Sequence, residues 1–174
     1  MEPAIRADIA GGLFFERDAS MNPSLFVHAL AALVQEKGAA IEEQTEVRRI
    51  ECHGNRIERI RTTEGDYHPQ QVVLAAGSWS SLLAADLPFT LPVQPAKGYS
   101  VTFENPGVEL AHPLIMAEAR GGVIPVGTMI RVAGTLEMTG IDSSINMRRV
   151  RAVVRRVADY VDGIDPDHAL KNPW

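Results

Sequence analysis

The 174-residue sequence has a single cysteine, Cys52, which excludes an internal disulfide framework and suits a reducing compartment. Its neighbours supply no reason to read it as catalytic, so it is expected to be a strand thiol. Positive charge is not in excess: 17 basic residues stand against 22 acidic ones, a net charge of −5, which leaves no footprint for nucleic acid. Long apolar runs are also missing. The longest candidate, residues 25–34, is too short to span a bilayer and is interrupted by His28. The opening Met1-Glu2-Pro3 begins neither a signal nor a transit peptide. A cytoplasmic chain is expected, with peripheral membrane contact left open.

Several chemistries lack their residues as well. His28, His53, His68, His112 and His168 are scattered without metal-ligand spacing. Gly77-Ser78-Trp79-Ser80-Ser81 lacks the second glycine of a nucleophile elbow. No P-loop lysine motif occurs, and Asp165-Pro166-Asp167 reads as a turn.

What the chain does have is a hydrophobic content of 45% in a pattern that can bury a core. Val72, Val73 and Leu74 form a short apolar run expected to be a buried strand, Gln71–Ala75. It leads into Ala75-Ala76-Gly77, where Gly77 removes a side chain and allows a backbone or flat ligand to approach. Ser78 or Ser80 is then placed to cap a short helix through Leu82 and Leu83. Asn22-Pro23 opens a helix with apolar residues at Leu25, Phe26, Ala29, Leu30, Leu33 and Val34, closed by Gly38. Ala39–Ile41 is expected as a short strand. Val47–Glu51 and Arg56–Thr62 alternate around His53-Gly54-Asn55, a hairpin signal.

The second half reads as strands at Gly98–Phe103, His112–Met116, Gly122–Val126 and Met129–Leu136, the last two joined at Gly127. Asn146 is placed to cap a final helix with Met147, Val150, Val153, Val154, Val157, Ala158 and Val161 on its apolar face. Five arginines populate the rest of that helix and are read as a solvated face. Lys97-Gly98-Tyr99 puts a cation, a hinge and a phenol on one strand, either facing a substrate carboxylate or lying at an ordinary sheet edge. Arg131 sits mid-strand, where it binds an anionic substrate, pairs with Glu137 or Glu118, or points outward.

Taken in order, several segments resemble the FAD-dependent D-amino acid oxidase superfamily, with its D-amino acid dehydrogenase and glycine oxidase branches nearest. They are Ala10-Gly11-Gly12-Leu13-Phe14, Asn22-Pro23 with its helix, Lys37-Gly38-Ala39, Thr45-Glu46-Val47 and Val72–Ser80. Pro92-Val93-Gln94-Pro95, Lys97-Gly98-Tyr99 and Ile130–Glu137 complete the series. The resemblance covers nearly the whole chain. It implies FAD as cofactor, with Val47 at a backbone contact to the adenine and Ala75, Ala76 and Gly77 beside the ribose and pyrophosphate. Tyr99 and Arg131 are the substrate-binding candidates; no catalytic residue and no metal ligand is assigned. The implied chemistry is hydride transfer from the α-carbon of an amine to flavin, giving an imine that hydrolyses.

Two departures qualify the resemblance. The family's G-x-G-x-x-G is absent, and Met1 falls inside the family pattern. The family's closing G-x-R-P segment is also absent, since the sequence stops at Trp174, where that segment would begin. The chain is therefore expected to be an internal fragment of a FAD-dependent oxidoreductase acting on the CH–NH bond of D-amino acids or related amines. Alone it should be inactive and should not retain FAD. The alternative is a stand-alone, non-enzymatic binding module derived from the same family, and a glycerol-3-phosphate or sarcosine-type parent also stays open.

The expected fold is mixed α/β. Residues 1–86 form the remnant of a Rossmann-like FAD-binding half, with 10–16 as a possible member of the second sheet. Residues 87–174 form an antiparallel substrate-domain sheet with flanking helices. A homodimer or larger assembly is expected through an open sheet edge at Ala39–Ile41 and the helix at 23–37.

Overall fold

The computed structural model describes residues 2–6 and 8–167. Met1, His168 and Trp174, invoked above, lie outside the described residues. The architecture is mixed α/β with two antiparallel sheets, and the chain divides into two compact units. One comprises Ser24–Ala96 and Met138–Asp142; the other comprises Met1–Pro23, Lys97–Glu137 and Ser143–Trp174.

The first unit begins with helix α1, Pro23–Glu36, whose first residue is the expected proline. Its end is a glycine cap: Gly38 adopts φ +92° and its N–H donates to the Gln35 carbonyl, while the Ala39 N–H reaches back to Val34. Strands β1 (Val47–His53), β2 (Arg56–Thr62) and β3 (Asp66–Tyr67) form a meander in that order. The hairpin turns at Gly54-Asn55, with Gly54 at φ +59° and His53 opposite Arg56. Alternation gives the meander two faces. Ile50 is buried on one, where the sheet packs against the segment carrying α2 (Ser80–Leu83) and buried Ala84. The other face carries a charge ladder: Glu51 accepts from Arg59 and lies 3.5 Å from Arg61, and Asp66 lies 3.0 Å from Arg59.

Three expected strands do not form. Ala39–Ile41 continues as exposed chain after the helix cap, so the sheet edge expected there does not exist. Gln71–Ala75 pairs with no strand among the described residues, and Val73 is 89% exposed. Extended backbone becomes a strand only with a ladder partner for its N–H and C=O groups, and none is supplied to this segment. Residues 10–16 are likewise unpaired, leaving Leu13, Phe14 and Phe15 exposed. The short helix near Ser80 does form, but neither Ser78 nor Ser80 caps it: Trp79 holds the N-cap position and makes no side-chain cap.

The second unit is a helix packed on a sheet. Strands β4 (Lys97–Glu104), β5 (Leu114–Met116), β6 (Gly121–Val126) and β7 (Met129–Glu137) pair antiparallel in the order β4-β7-β6-β5. Helix α3, Met147–Ala158, covers one face. Tyr99, Val101, Phe103, Val123, Ile130 and Val132 supply the sheet side of the core; Val150, Val153, Val154 and Val157 supply the helix side. The residues 2–6 tie down the far end, with Ile5 bridged to Val161 and Arg6 donating to the Ala158 carbonyl.

Candidate functional site

Register decides which side chains share the sheet face that points away from α3. Ser100, Ala133, Gly122 and Ile115 lie in one row across the four strands, and Thr102, Arg131 and Ile124 lie in the next. The first row is a shallow floor because three of its members are small. A methyl group at Gly122 would meet only backbone carbonyls of Leu114 and Ala133, at 3.6 and 3.9 Å, and no other atom of the described residues within 4 Å. Beside the floor stands Arg131, half-buried, with its Nε donating to Thr102 Oγ1 at 3.3 Å. Ser100 is 8% exposed, and its hydroxyl, almost wholly shielded, has no hydrogen-bond partner among the described residues. An unsatisfied buried hydroxyl costs free energy.

Glu137 lies on the opposite face of the sheet from Arg131, and the reason is a β-bulge. The β4–β7 register shifts between Gly98 and Tyr99, so Thr135 is the unpaired extra residue, at φ +57°. Strict alternation would place Glu137 on the same face as Arg131. One inserted residue reverses the parity and carries Glu137 to the α3 side. There the Tyr99 hydroxyl donates to Glu137 Oε2 and Arg149 Nε lies 3.0 Å from Oε1. Arg149 also donates to Thr135 Oγ1 at 2.9 Å, clasping the bulge. Lys97 Nζ lies over the Tyr99 ring and donates to the Ser144 carbonyl. Asn146 occupies the N-cap position of α3, but its side chain makes no cap hydrogen bond.

The Tyr99 hydroxyl, with help from Arg149, Lys97 and Asn146, holds the Glu137 carboxyl below its ordinary value of 4.5 against the opposing effect of burial. A depressed folded-state value means the network stabilises fully above the unfolded value and is lost as pH falls through the folded one. Urea midpoints measured from pH 7 downward should therefore fall more steeply below about pH 4.5 in the native chain than in Glu137→Gln. Parallel curves for the two proteins would show that this carboxylate does not couple to folding.

The remaining site candidates lie in the other unit. Val47 opens β1, half-buried and paired with Thr62. Ala75, Ala76 and Gly77 form a turn whose small side chains are exposed or half-buried. Gly77 adopts φ +53°, and nothing lies within 4 Å of where a Cβ would be. That conformation favours glycine and leaves the backbone open to close approach. A cavity of about 470 Å³ is lined by Ser81, Ala84, Ala85 and the loop Leu87–Leu91, without a charged side chain. Among the described residues no cluster of His, Cys, Asp and Glu is arranged to hold a metal ion.

Sequence reasoning missed Ser100, Thr102 and Arg149. Strand alternation was signal enough for the first two, which share parity with Arg131 through register; the clasp by Arg149 depended on the bulge.

The family model of FAD dependent oxidoreductases, DAO, matches residues 1–174. The chain belongs to the DAO family. Among curated relatives, the D-amino acid dehydrogenase of Cereibacter sphaeroides is 35% identical over 167 residues, which cover 93% of this chain and 38% of that protein. The D-amino acid dehydrogenase of Paramagnetospirillum magneticum is 33% identical over 183 residues, covering 98% and 41%. This DAO-family chain thus spans about two fifths of the length of the curated relatives it matches. Among solved structures, glycine oxidase from Bacillus cereus superposes with a TM-score of 0.63 at 25% identity over 77% of this chain and 37% of its own. Glycine oxidase from Geobacillus kaustophilus, at 24% identity, gives 0.66 over 84% and 39%, a likeness of fold.

Proposed function

We propose that this chain is part of a FAD-dependent oxidoreductase acting on the CH–NH bond of D-amino acids or related amines, and that alone it is not catalytic. The carrying observation is the full-length family match, joined to relatives named D-amino acid dehydrogenase of which the chain spans about two fifths.

The residues present suit part of a dinucleotide. The open turn at Ala75–Gly77 and the backbone at Val47 would lie against the adenosine portion. Among the described residues no helix opens on a glycine-rich loop that would hold its phosphates. When bound, the flavin would supply hydride acceptance from the substrate α-carbon. The contribution of this chain is placement: Arg131, steadied by Thr102, offers a guanidinium fork to a carboxylate over the Ser100–Ala133–Gly122 floor. Tyr99 faces the α3 side and contributes by fixing the strand through Glu137.

The test has two arms. The 174-residue chain titrated with FAD should retain none through gel filtration; a stoichiometric, retained flavin would overturn that part of the reading. The complete natural reading frame should oxidise D-amino acids with a dye acceptor, and Arg131→Ala should raise KM by about tenfold or more while kcat changes less. An unchanged KM would remove Arg131 from the substrate site.

Self-association through α1 is part of the same reading. None of its residues is buried, and Leu25, Phe26, Val27, Leu30 and Leu33 are all exposed. Such a face is suited to a homodimer or larger assembly. Among the described residues no helix is long and apolar enough to cross a membrane; with Cys52 unpaired, we read the chain as cytoplasmic.

A further inference from the structure

Helix α3 carries five arginines and no acidic residue in 12 positions, within a chain whose net charge is −5. Only Arg149 turns back onto the sheet, to Glu137 and Thr135. Arg148, Arg151, Arg155 and Arg156 are exposed and make no ion pair among the described residues. Helix stability accounts for Arg155 and Arg156 only in part, since their place in the last turn suits the macrodipole; it does not account for Arg148 and Arg151. Like charges at i,i+3 and i,i+4, as in Arg148/Arg151 and Arg151/Arg155, weaken a helix. Cations in the first turns also oppose the macrodipole. The valine face of α3 is locked in the core, so the arginines have no freedom to rotate toward carboxylates elsewhere.

A complementary surface exists on the same chain. Glu42, Glu43, Glu46 and Glu64 are exposed and make no ion pair among the described residues. One backbone bond and one side-chain bond hold the segment together: Thr63 N–H donates to the Glu46 carbonyl, and Glu46 N–H donates to Thr63 Oγ1.

We propose that the arginine face of α3 docks the glutamate cluster of a second copy of this chain, in a head-to-tail contact held by guanidinium–carboxylate pairs. Guanidinium suits this use because its planar fork meets a carboxylate bidentately. Where the two copies pair reciprocally the contact closes as a dimer; where they do not, association continues until the rotation closes. It is separate from the apolar association through α1, and salt tells the two apart: screening weakens charge pairing and leaves apolar burial intact.

Sedimentation equilibrium of the purified chain at about 25 and about 300 mM NaCl is the direct test. The expected result is association weakened about tenfold or more at the higher salt. The triple variant R148E/R151E/R155E and the triple variant E42K/E43K/E46K should each lose the salt-sensitive component, and an equimolar mixture of the two should regain it. Far-UV circular dichroism checks that each folds; should the arginine reversals not fold, Arg151→Gln/Arg155→Gln replaces them, with a smaller loss expected. Association indifferent to salt, or a mixture that stays dissociated, overturns the proposal. So does arginine-dependent sedimentation with phosphatidylserine vesicles by a chain that shows no salt-sensitive self-association, which would assign the face to a lipid surface.

Discussion

Gly134→Ala is expected to destabilise the helix-on-sheet unit by about 2–3 kcal/mol, read as a lower urea midpoint at unchanged slope. Gly134 in β7 lies opposite Gly121 in β6, and both face α3. A Cβ on Gly134 would come within 2.7 Å of the Arg120 carbonyl and 3.1 Å of Val153 Cγ1. The nearer obstacle is backbone, which cannot rotate aside, so strand or helix must move. The usual gain from restricting the unfolded chain, about 0.4–1 kcal/mol, does not offset that shift. Gly121→Ala meets a different obstacle, Val157 Cγ2 at 2.8 Å. That atom is removable: Gly121→Ala/Val157→Ala should cost less than the sum of the single changes, whereas no single truncation rescues Gly134→Ala. A fully additive pair would mean that the two glycines do not set the helix-to-sheet distance.

Phe103→Ala should cost more, about 3–5 kcal/mol. Phe103 points into the core from β4 and is 3% exposed, opposite Ile130. Removing the ring leaves a void between a sheet and a helix that are both tied at several points, so the site cannot collapse to fill it. The same truncation at Phe26 on α1, which is 52% exposed in the single chain, should stay within about 0.5 kcal/mol when the protein is dilute enough to be monomeric. Two phenylalanines of equal hydrophobicity thus predict opposite outcomes, and equal losses at both sites in the dilute monomer would mean that α1 is covered within its own chain.

Much of the second unit was legible from residue pattern. Alternation and turn glycines located β4, β6 and β7 within one or two residues, because each strand has one buried face, and β6 and β7 also pair through the tight turn that joins them. The 3.6-residue spacing of valines located α3 for the same reason. The hairpin of β1 and β2 also followed from its own turn. Arg131, read as mid-strand, and Tyr99, read beside Lys97 and Gly98, were both singled out, but nothing in those readings revealed that they occupy opposite faces. Glu137 was considered as a partner for Arg131, and the bulge at Thr135 gave it to Tyr99 and Arg149 instead.

By itself the sequence determined the second unit's strands and the valine-faced helix, since these rest on local periodicity, and its ordered motif segments carried the resemblance to the family. Tertiary structure alone decided which segments with strand character became strands. Val72–Leu74 and Ala39–Ile41 have suitable side chains yet lack a neighbour to complete their hydrogen bonds, and a ladder is a property of two segments. It also decided on which side of the sheet Glu137 lies, because one residue inserted at Thr135 exchanges the two faces and leaves no trace in composition or period.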